Sequence, residues 1–225
     1  MIGVGTSLLF DRRAGKAGPP IPPFNKAMVD AWFMSGLSNI DKSSSIRGVK
    51  GNEVVLKNFA FTSESGFGEG AYEGALVFDG VDDYGICNNL PILTDYTVIC
   101  RRVIEGNRSA VVASKSVVVG NGAFIFEIFD TKNSTWSFGV QNDVDINYND
   151  SVSWQTKKSY NGEKNLVVGS RSDTDTLCLG LLREGDSRCL KGAIYYFALY
   201  DKSLTVEEIE TEKERLNGEW LKRKN

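Results

Sequence analysis

The chain has 225 residues, a formal net charge of −3 and a hydrophobic content of 41%, which supplies enough apolar side chains for a core and excludes wholesale disorder. The slight excess of acid argues against a nucleic-acid partner, because phosphate backbones are bound by basic surfaces, and no uncharged apolar run is long enough to span a bilayer. The chain contains no histidine, which excludes Ser-His-Asp and Cys-His catalysis and removes the commonest transition-metal ligand.

The first segment, residues 1–26, is predicted to be a flexible arm. Glycines alternate there with charged residues, and the PPIPP run at residues 19–23 is typical of a polyproline spacer. Two interpretations are open. The segment is either a disordered tail or an arm that docks onto another subunit or assembly, since the LLF run at residues 8–10 has no apolar partner nearby in the sequence.

The N-terminus does not resemble a secretion signal. It lacks a basic start, and its apolar patch runs directly into Asp11, Arg12 and Arg13. We therefore expect synthesis without Sec export, in a cytoplasm where the four cysteines stay reduced. Cys178 and Cys189 flank a predicted hairpin and could pair under oxidising conditions.

Most of the chain after the arm is predicted to form short strands separated by turns. Runs rich in Val, Ile, Phe and Tyr alternate with clusters of Gly, Asn and Asp, which is typical of a sandwich or jelly roll. The predicted strands lie at residues 29–36, 54–61, 74–86, 96–103, 109–119, 123–130, 134–140, 151–157, 165–170, 176–182 and 193–200.

The last strand leads into a helix. The continuous apolar and aromatic run at residues 193–200 predicts a strand that is covered on both faces. A turn follows at residues 201–203, and Thr205 and Glu208 have the spacing of a capping box. The apolar residues predicted to share the buried side of the helix are Val206, Ile209, Leu216 and Trp220.

Two blocks of the chain match the signature of one family. Its closing strand reads G-x-I-x-x-F-x-x-Y, followed by the turn (K/R)-(S/A)-L-(S/T) and a short helix with Glu-Ile. The matching positions are Gly192, Ile194, Phe197, Tyr200, Lys202, Ser203, Leu204, Thr205, Glu208 and Ile209. The segment GALVFDGVDDYGI at residues 74–86 is similar to an upstream strand of the same family.

On these motifs the chain resembles the laminin-G-like, concanavalin A-like jelly-roll domains. The resemblance implies an all-β fold, an antiparallel β-sandwich over residues 27–225 that ends in a short C-terminal helix. This fold hosts lectins, glycosidases and structural modules alike, so it does not fix the function.

Two acidic clusters are candidate calcium sites. Asp79, Asp82 and Asp83 lie beside a predicted strand end, and calcium takes about six to eight oxygen ligands, several of which neighbouring carboxylates can supply. The alternative is that Asp79 and Gly80 make a turn and Tyr84 packs. The second cluster lies in a polar loop and comprises Asp143, Asp145, Asn147, Asn149 and Asp150.

Glu127 and Asp130 are the carboxylates of an otherwise apolar strand. Retaining glycosidases need two carboxyl groups close together, and the concanavalin A-like glucanases carry theirs on one strand as Glu-x-Asp-x-x-Glu. The spacing here is Glu-x-x-Asp with no second glutamate, so alternation puts the two side chains on opposite faces. The sequence therefore predicts a protein that is not an enzyme.

Aromatic and amide side chains in the second half of the chain have the chemistry of a carbohydrate-binding surface, in which flat rings cover sugar C–H bonds beside planar polar groups. The same residue types are equally common in the core and rim of a sandwich, so both interpretations are open. The candidate ligand-binding residues are Trp136, Asn142, Asn147, Tyr148, Trp154 and Tyr160.

These features together predict a non-catalytic, lectin-like binding or structural module. The resemblance implies one concrete version, because such modules occur on bacteriophage and prophage virions as head or tail decorations that contact host-surface glycans. Its partners are then glycans and, through the arm, other virion proteins, and its location is the virion or the cytoplasm of the producing bacterium. The alternatives are a glycoside hydrolase on the same fold and a solitary lectin-like protein acting in its host cell. Self-association is also left open.

Overall fold

A computed structural model describes residues 23–91, 93, 97–105, 110–115, 124–129, 134–136, 153–158, 175–181, 184–185, 187–202 and 204–225. For residues 104, 110, 124–129, 134–136 and 153–158 it describes the backbone alone. The predicted arm up to residue 22 and the predicted strand at 165–170 lie outside the described residues.

In the described part of the chain, strands precede one α-helix. Their bounds are β1 Met28–Phe33, β2 Ser45–Arg47, β3 Glu53–Lys57, β4 Gly66–Phe67, β5 Leu76–Asp79, β6 Tyr84–Cys87, β7 Thr97–Ile104, β8 Ala110–Lys115, β9 Phe124–Phe129, β10 Ser134–Trp136, β11 Ser153–Lys158, β12 Leu177–Leu179, β13 Lys191–Tyr200 and α1 Val206–Lys224.

The strands form two antiparallel sheets. The helix-side sheet has the order β11-β7-β13-β5-β4, with β1 also beside β13, and the outer sheet has the order β10-β9-β8-β12-β6-β3-β2. Buried apolar side chains from both sheets, such as Trp32, Leu56, Phe78 and Leu179, form one cluster between them. The prediction of an all-β sandwich with a C-terminal helix is confirmed.

Strand β13 is the central strand of the helix-side sheet. It pairs with β7 along one side, while β5 and then β1 share its other side. Its pairing with β7 has a bulge between Ile194 and Tyr196, and an extra residue at a bulge reverses the alternation of side chains. Ile194 and Phe197 therefore both reach the core between the sheets.

The other face of β13 is covered by helix α1. A second buried cluster contains Tyr195, Tyr196 and Tyr200 from the strand and Leu216 and Trp220 from the helix. This outcome confirms that the strand is buried on both faces, because its residues from 192 to 200 are all buried.

Polar contacts fix the helix in place. The capping box of Thr205 and Glu208 is present. The Trp220 indole donates a hydrogen bond of 2.8 Å to the Gly74 carbonyl, and the Arg101 guanidinium lies 4.5 Å from the Trp220 ring centroid. Gly74 has a φ of +81°, and a Cβ there would lie 2.9 Å from the Trp220 ring, so this position requires glycine.

Three local predictions were wrong. Val206, predicted to be buried, is 59% exposed. It is the first residue of the helix, and at this end of the helix Leu204 and Ile209 fill the buried positions instead. The strand predicted to reach residue 61 ends at Lys57, because Asn58 adopts a φ of +67° that a strand cannot hold. Residues 45–47, which lie outside the predicted strands, form strand β2.

The four cysteines are all buried, and no disulfide joins any two of them. Cys178 and Cys189 therefore do not form the disulfide that their spacing left open, and the expectation of reduced thiols agrees with the structure. Burial raises the pKa of the Cys178 thiol to about 11, so it is protonated and unreactive at neutral pH. Among the described residues, no helix is long and apolar enough to cross a membrane.

Candidate functional site

The first acidic cluster is the turn that joins β5 to β6. Gly80 has a φ of +80°, which a tight turn needs and glycine adopts without strain. The Asp79 carboxylate accepts a hydrogen bond of 2.7 Å from the Val81 amide, and the Asp83 carboxylate accepts one of 3.0 Å from the Asp79 amide. The carboxylates thus build the turn themselves, as the alternative interpretation of this motif predicts.

Asp83 is the buried member of the cluster, with 1% of its surface exposed. Its second oxygen accepts a hydrogen bond of 3.0 Å from the Ser65 hydroxyl, which in turn accepts from the Ala60 amide. Burial is the main cause that raises the pKa of Asp83 to about 6, and the nearby charges of Asp79 and Asp82 also raise it. The hydrogen bonds from the Asp79 amide and the Ser65 hydroxyl act in the opposite direction and lower it.

The cluster also has the geometry of a weak cation site. One carboxylate oxygen from each of Asp79, Asp82 and Asp83 lies within 4.8 Å of the others, and Asp82 is exposed. Calcium would need about three to five further oxygens from backbone or water. The three carboxylates could therefore share a cation. The hydrogen bonds of the turn form without one. Of the other metal candidates, Asp143 and Asp145 lie outside the described residues.

The carbohydrate candidates Trp136 and Trp154 are on end strands of different sheets. β10, which carries Trp136, is the last strand of the outer sheet, and β11, which carries Trp154, is the last strand of the helix-side sheet. That the two tryptophans form one carbohydrate-binding surface therefore stays a prediction.

The remaining carbohydrate candidates lie outside the described residues, namely Asn142, Asn147, Tyr148 and Tyr160. Glu127 is on β9, where its backbone pairs with Val111 and Trp136, and Asp130 lies outside the described residues. The placement of these two carboxylates on opposite faces therefore stays a prediction.

A groove that sequence reasoning missed lies between residues 23–26 and the first half of α1. Its volume is about 480 Å³. Glu212 lies in its wall with 2% of its surface exposed, accepts a hydrogen bond of 2.9 Å from the Tyr200 hydroxyl and pairs with Arg215. The residues that line the groove are Pro23, Phe24, Asn25, Lys26, Glu207, Glu208, Thr211, Glu212 and Arg215.

One feature of the sequence could have indicated that Glu212 is buried. Glu212 is three residues after Ile209 and four before Leu216, so it lies on the buried side of the helix. A carboxylate on an apolar side needs a partner. That partner, Tyr200, is on β13. The wall of the groove opposite the helix comes from residues 23–26, near the other end of the chain, and no local sequence pattern indicates this contact.

Charges at the mouth of the groove are paired. The Glu208 carboxylate accepts hydrogen bonds of 2.8 Å from both the Lys202 ammonium and the Thr205 amide. These contacts, the Lys202 hydrogen bond first, lower the pKa of Glu208. Glu208 therefore stays ionised at neutral pH and completes the cap of the helix.

Comparison with known proteins gives relatives in structure only. No protein-family model matches the chain, and no curated protein matches it in sequence. The binding domain of botulinum neurotoxin serotype D superposes with a TM-score of 0.53 at 12% identity, covering 84% of this chain and 51% of that one. A structure of botulinum neurotoxin type C, whose cell entry depends on interaction with two ganglioside molecules, superposes with a TM-score of 0.52 at 9% identity. The superposition covers 84% of this chain and 51% of the toxin chain.

A Trypanosoma rangeli sialidase superposes with a TM-score of 0.51 at 12% identity, covering 97% of this chain and 36% of the sialidase. The chain thus spans about half the length of the toxin structures and about a third of the sialidase. At these identities the likenesses establish the β-sandwich fold and nothing of the chemistry.

We predict that Asp83 makes the protein less stable as pH rises. Its raised pKa means that the folded state holds the proton more tightly than the unfolded chain, so this contribution is complete below about pH 4 and is lost as pH rises through about 6. Asp83→Asn removes the effect. Between pH 4 and 7 the unfolding free energy of the wild type should therefore fall by roughly 2 kcal/mol relative to that of the variant. Urea denaturation at each pH measures the difference.

The control for this experiment is Glu214→Gln, which neutralises an exposed carboxylate on helix α1 that does not contribute to the pKa of Asp83. It should follow the wild type across the pH range. Parallel pH curves for wild type and Asp83→Asn would contradict the buried-carboxylate account.

Proposed function

We propose that this protein is a non-catalytic, lectin-like module of the laminin-G-like, concanavalin A-like kind, and that its ligand is a glycan. The observation that carries the proposal is the fold, which the chain shares with toxin structures over 84% of its length. One of those toxins depends on interaction with two ganglioside molecules, so the sandwich is compatible with glycan recognition.

The residues support binding rather than catalysis. With no histidine in the chain, hydrolysis would depend on carboxylates, either paired with each other or, as in sialidases, acting beside a tyrosine nucleophile. In the described acidic cluster, Asp79 and Asp83 each accept a backbone hydrogen bond within a turn. The strand that carries Glu127 lacks the second glutamate of the glucanase pattern.

The alternative is a glycoside hydrolase on the same fold. The likeness to a sialidase favours it, since 97% of this chain superposes on that enzyme. The chain spans only 36% of the sialidase, however, so a sandwich of this size corresponds to a part of an enzyme rather than to the whole. The binding module remains the better-supported proposal.

A glycan array of the purified chain tests the proposal. We expect specific binding to at least one class of oligosaccharide. If the acidic turn binds calcium as part of the site, binding is lost with chelator and in Asp82→Asn. If the tryptophans act alone, binding survives chelator and falls at least tenfold in Trp154→Ala.

The matched control is Glu127→Gln, which leaves a binder unaffected and inactivates a hydrolase that uses this carboxylate. Release of reducing sugar by the wild type, absent in Glu127→Gln, would establish the enzyme instead. An array with no bound glycan would overturn the lectin proposal.

We further propose that the module decorates a phage or prophage virion and attaches through residues 1–22. The support is the family resemblance together with the proline-rich run that precedes the sandwich. We expect the full chain to co-purify with virions of a producing strain, while a chain lacking residues 1–22 stays in the lysate. Equal incorporation of both forms would exclude the arm as the attachment.

A further inference from the structure

Strand β4 is the last strand in the order of the helix-side sheet, among the strands that the structure describes. It consists of Gly66 and Phe67 and pairs with β5 on one side. An edge strand carries backbone N–H and C=O groups that point away from its sheet, and a strand of another chain can pair with them. What covers this edge therefore decides whether two copies of the protein can join there.

The edge-facing backbone groups belong to Phe67 and to Ser65, which directly precedes the strand. In an antiparallel pair, residues that bond to the neighbouring strand alternate with residues whose backbone groups point away from it. The Gly68 amide donates a hydrogen bond of 2.8 Å to the Ala75 carbonyl, immediately before β5. One residue earlier, Phe67 therefore turns its N–H and C=O toward the edge, and Ser65 does so two residues before that.

The Asn39 side chain takes the place of a neighbouring strand at Phe67. Its Nδ2 donates a hydrogen bond of 2.8 Å to the Phe67 carbonyl, and its Oδ1 accepts one of 2.7 Å from the Phe67 amide. Thr62 does the same for Ser65, because its amide donates 2.8 Å to the Ser65 carbonyl and its hydroxyl accepts 3.2 Å from the Ser65 amide. The edge-facing groups of both residues are thus satisfied within the chain.

Asn39 also links its loop to the sheet. Leu37, before it, is partly buried against the core, whereas residues 40–42, after it, are exposed. With this loop in place, Phe67 is 2% exposed, so a second chain has no access to the edge. The two bonds from Asn39 join the exposed loop to β4, and we expect the loop to lift from the edge without them.

The edge beneath the loop fits a second copy of this chain. If two β4 edges run antiparallel about Gly66, Phe67 of one copy lies opposite Ser65 of the other, and such a pair can exchange two hydrogen bonds. Two-fold symmetry repeats the pair, so the edge is self-complementary. We propose that Asn39, together with Thr62, is an edge guard that keeps β4 from pairing with β4 of a second copy. This inference is independent of the proposed glycan binding.

The test compares the full chain with variants of the guard, by light scattering and by amide hydrogen exchange. Asn39→Ala removes both bonds to Phe67, and Asn39→Ala with Thr62→Ala also removes the acceptor for the Ser65 amide. In dilute solution we expect the Phe67 amide to exchange at least tenfold faster than in the wild type. On concentration, the mass should double relative to the wild type, more readily in the double variant, and the Phe67 amide should regain protection.

The matched control is Ser38→Ala, which removes an exposed hydrogen bond to the Ile40 amide in the same loop and should behave as the wild type does. Slow exchange in the buried strand β13 shows that each variant is folded. If Asn39→Ala does not fold, Asn39→Asp takes its place, since it keeps the acceptor for the Phe67 amide and loses the donor to the carbonyl.

Three results would overturn the proposal. One is a Phe67 amide that exchanges at the wild-type rate in the Asn39 variant, because Asn39 would then not close the edge. Another is fast exchange of Phe67 with the wild-type mass at every concentration. The third is association that leaves the Phe67 amide unprotected, because the copies would then meet at another surface.

Discussion

The bulge in β13 is the constraint on which the rest of the structure depends. Ile194 and Phe197 are three residues apart, yet both are in the core between the sheets, and a regular strand would turn one of them outward. The bulge corrects the alternation and at the same time turns Tyr195 and Tyr196 to the helix side. One strand can then bury both faces, which a sandwich covered by a helix requires.

The helix follows from that arrangement. Without a cover, the large aromatic side chains on the outer face of the sheet would be exposed to water. Exposure of apolar surface costs about 25 cal/mol per Å². Helix α1 covers this surface with Leu216 and Trp220. A buried hydroxyl needs a hydrogen-bond partner, and the Tyr200 hydroxyl donates to Glu212 on the helix. The same Glu212–Arg215 pair then forms the wall of the groove.

Local features could be predicted from the sequence, and non-local ones could not. The capping box, the doubly buried strand and the Asp79 turn depend on residues within a few positions of one another. The first two were predicted correctly, and the turn was one of the two interpretations left open for its motif. The bulge was also visible in principle, because the motif I-x-x-F places two core residues at an odd spacing. The burial of Asp83 depends on Ser65, 18 residues away, and was missed.

The groove was out of reach for the same reason. Its two walls are Phe24 and residues around Glu212, which are almost the whole chain apart. Residues 1–26 were predicted to be a flexible arm, either a disordered tail or a segment that docks onto another subunit. The structure shows that Phe24 packs on the domain, so a segment next to a proline-rich run contributes to a surface. Sequence position alone did not indicate this.

Amide hydrogen exchange of the free protein tests the central claim most directly, because protection reports how tightly each backbone segment is held. The account predicts that residues 193–200, which are paired with neighbouring strands and buried on both faces, are among the slowest to exchange. Exchange at residues 193–200 as fast as in the exposed loop at residues 40–42 would contradict it.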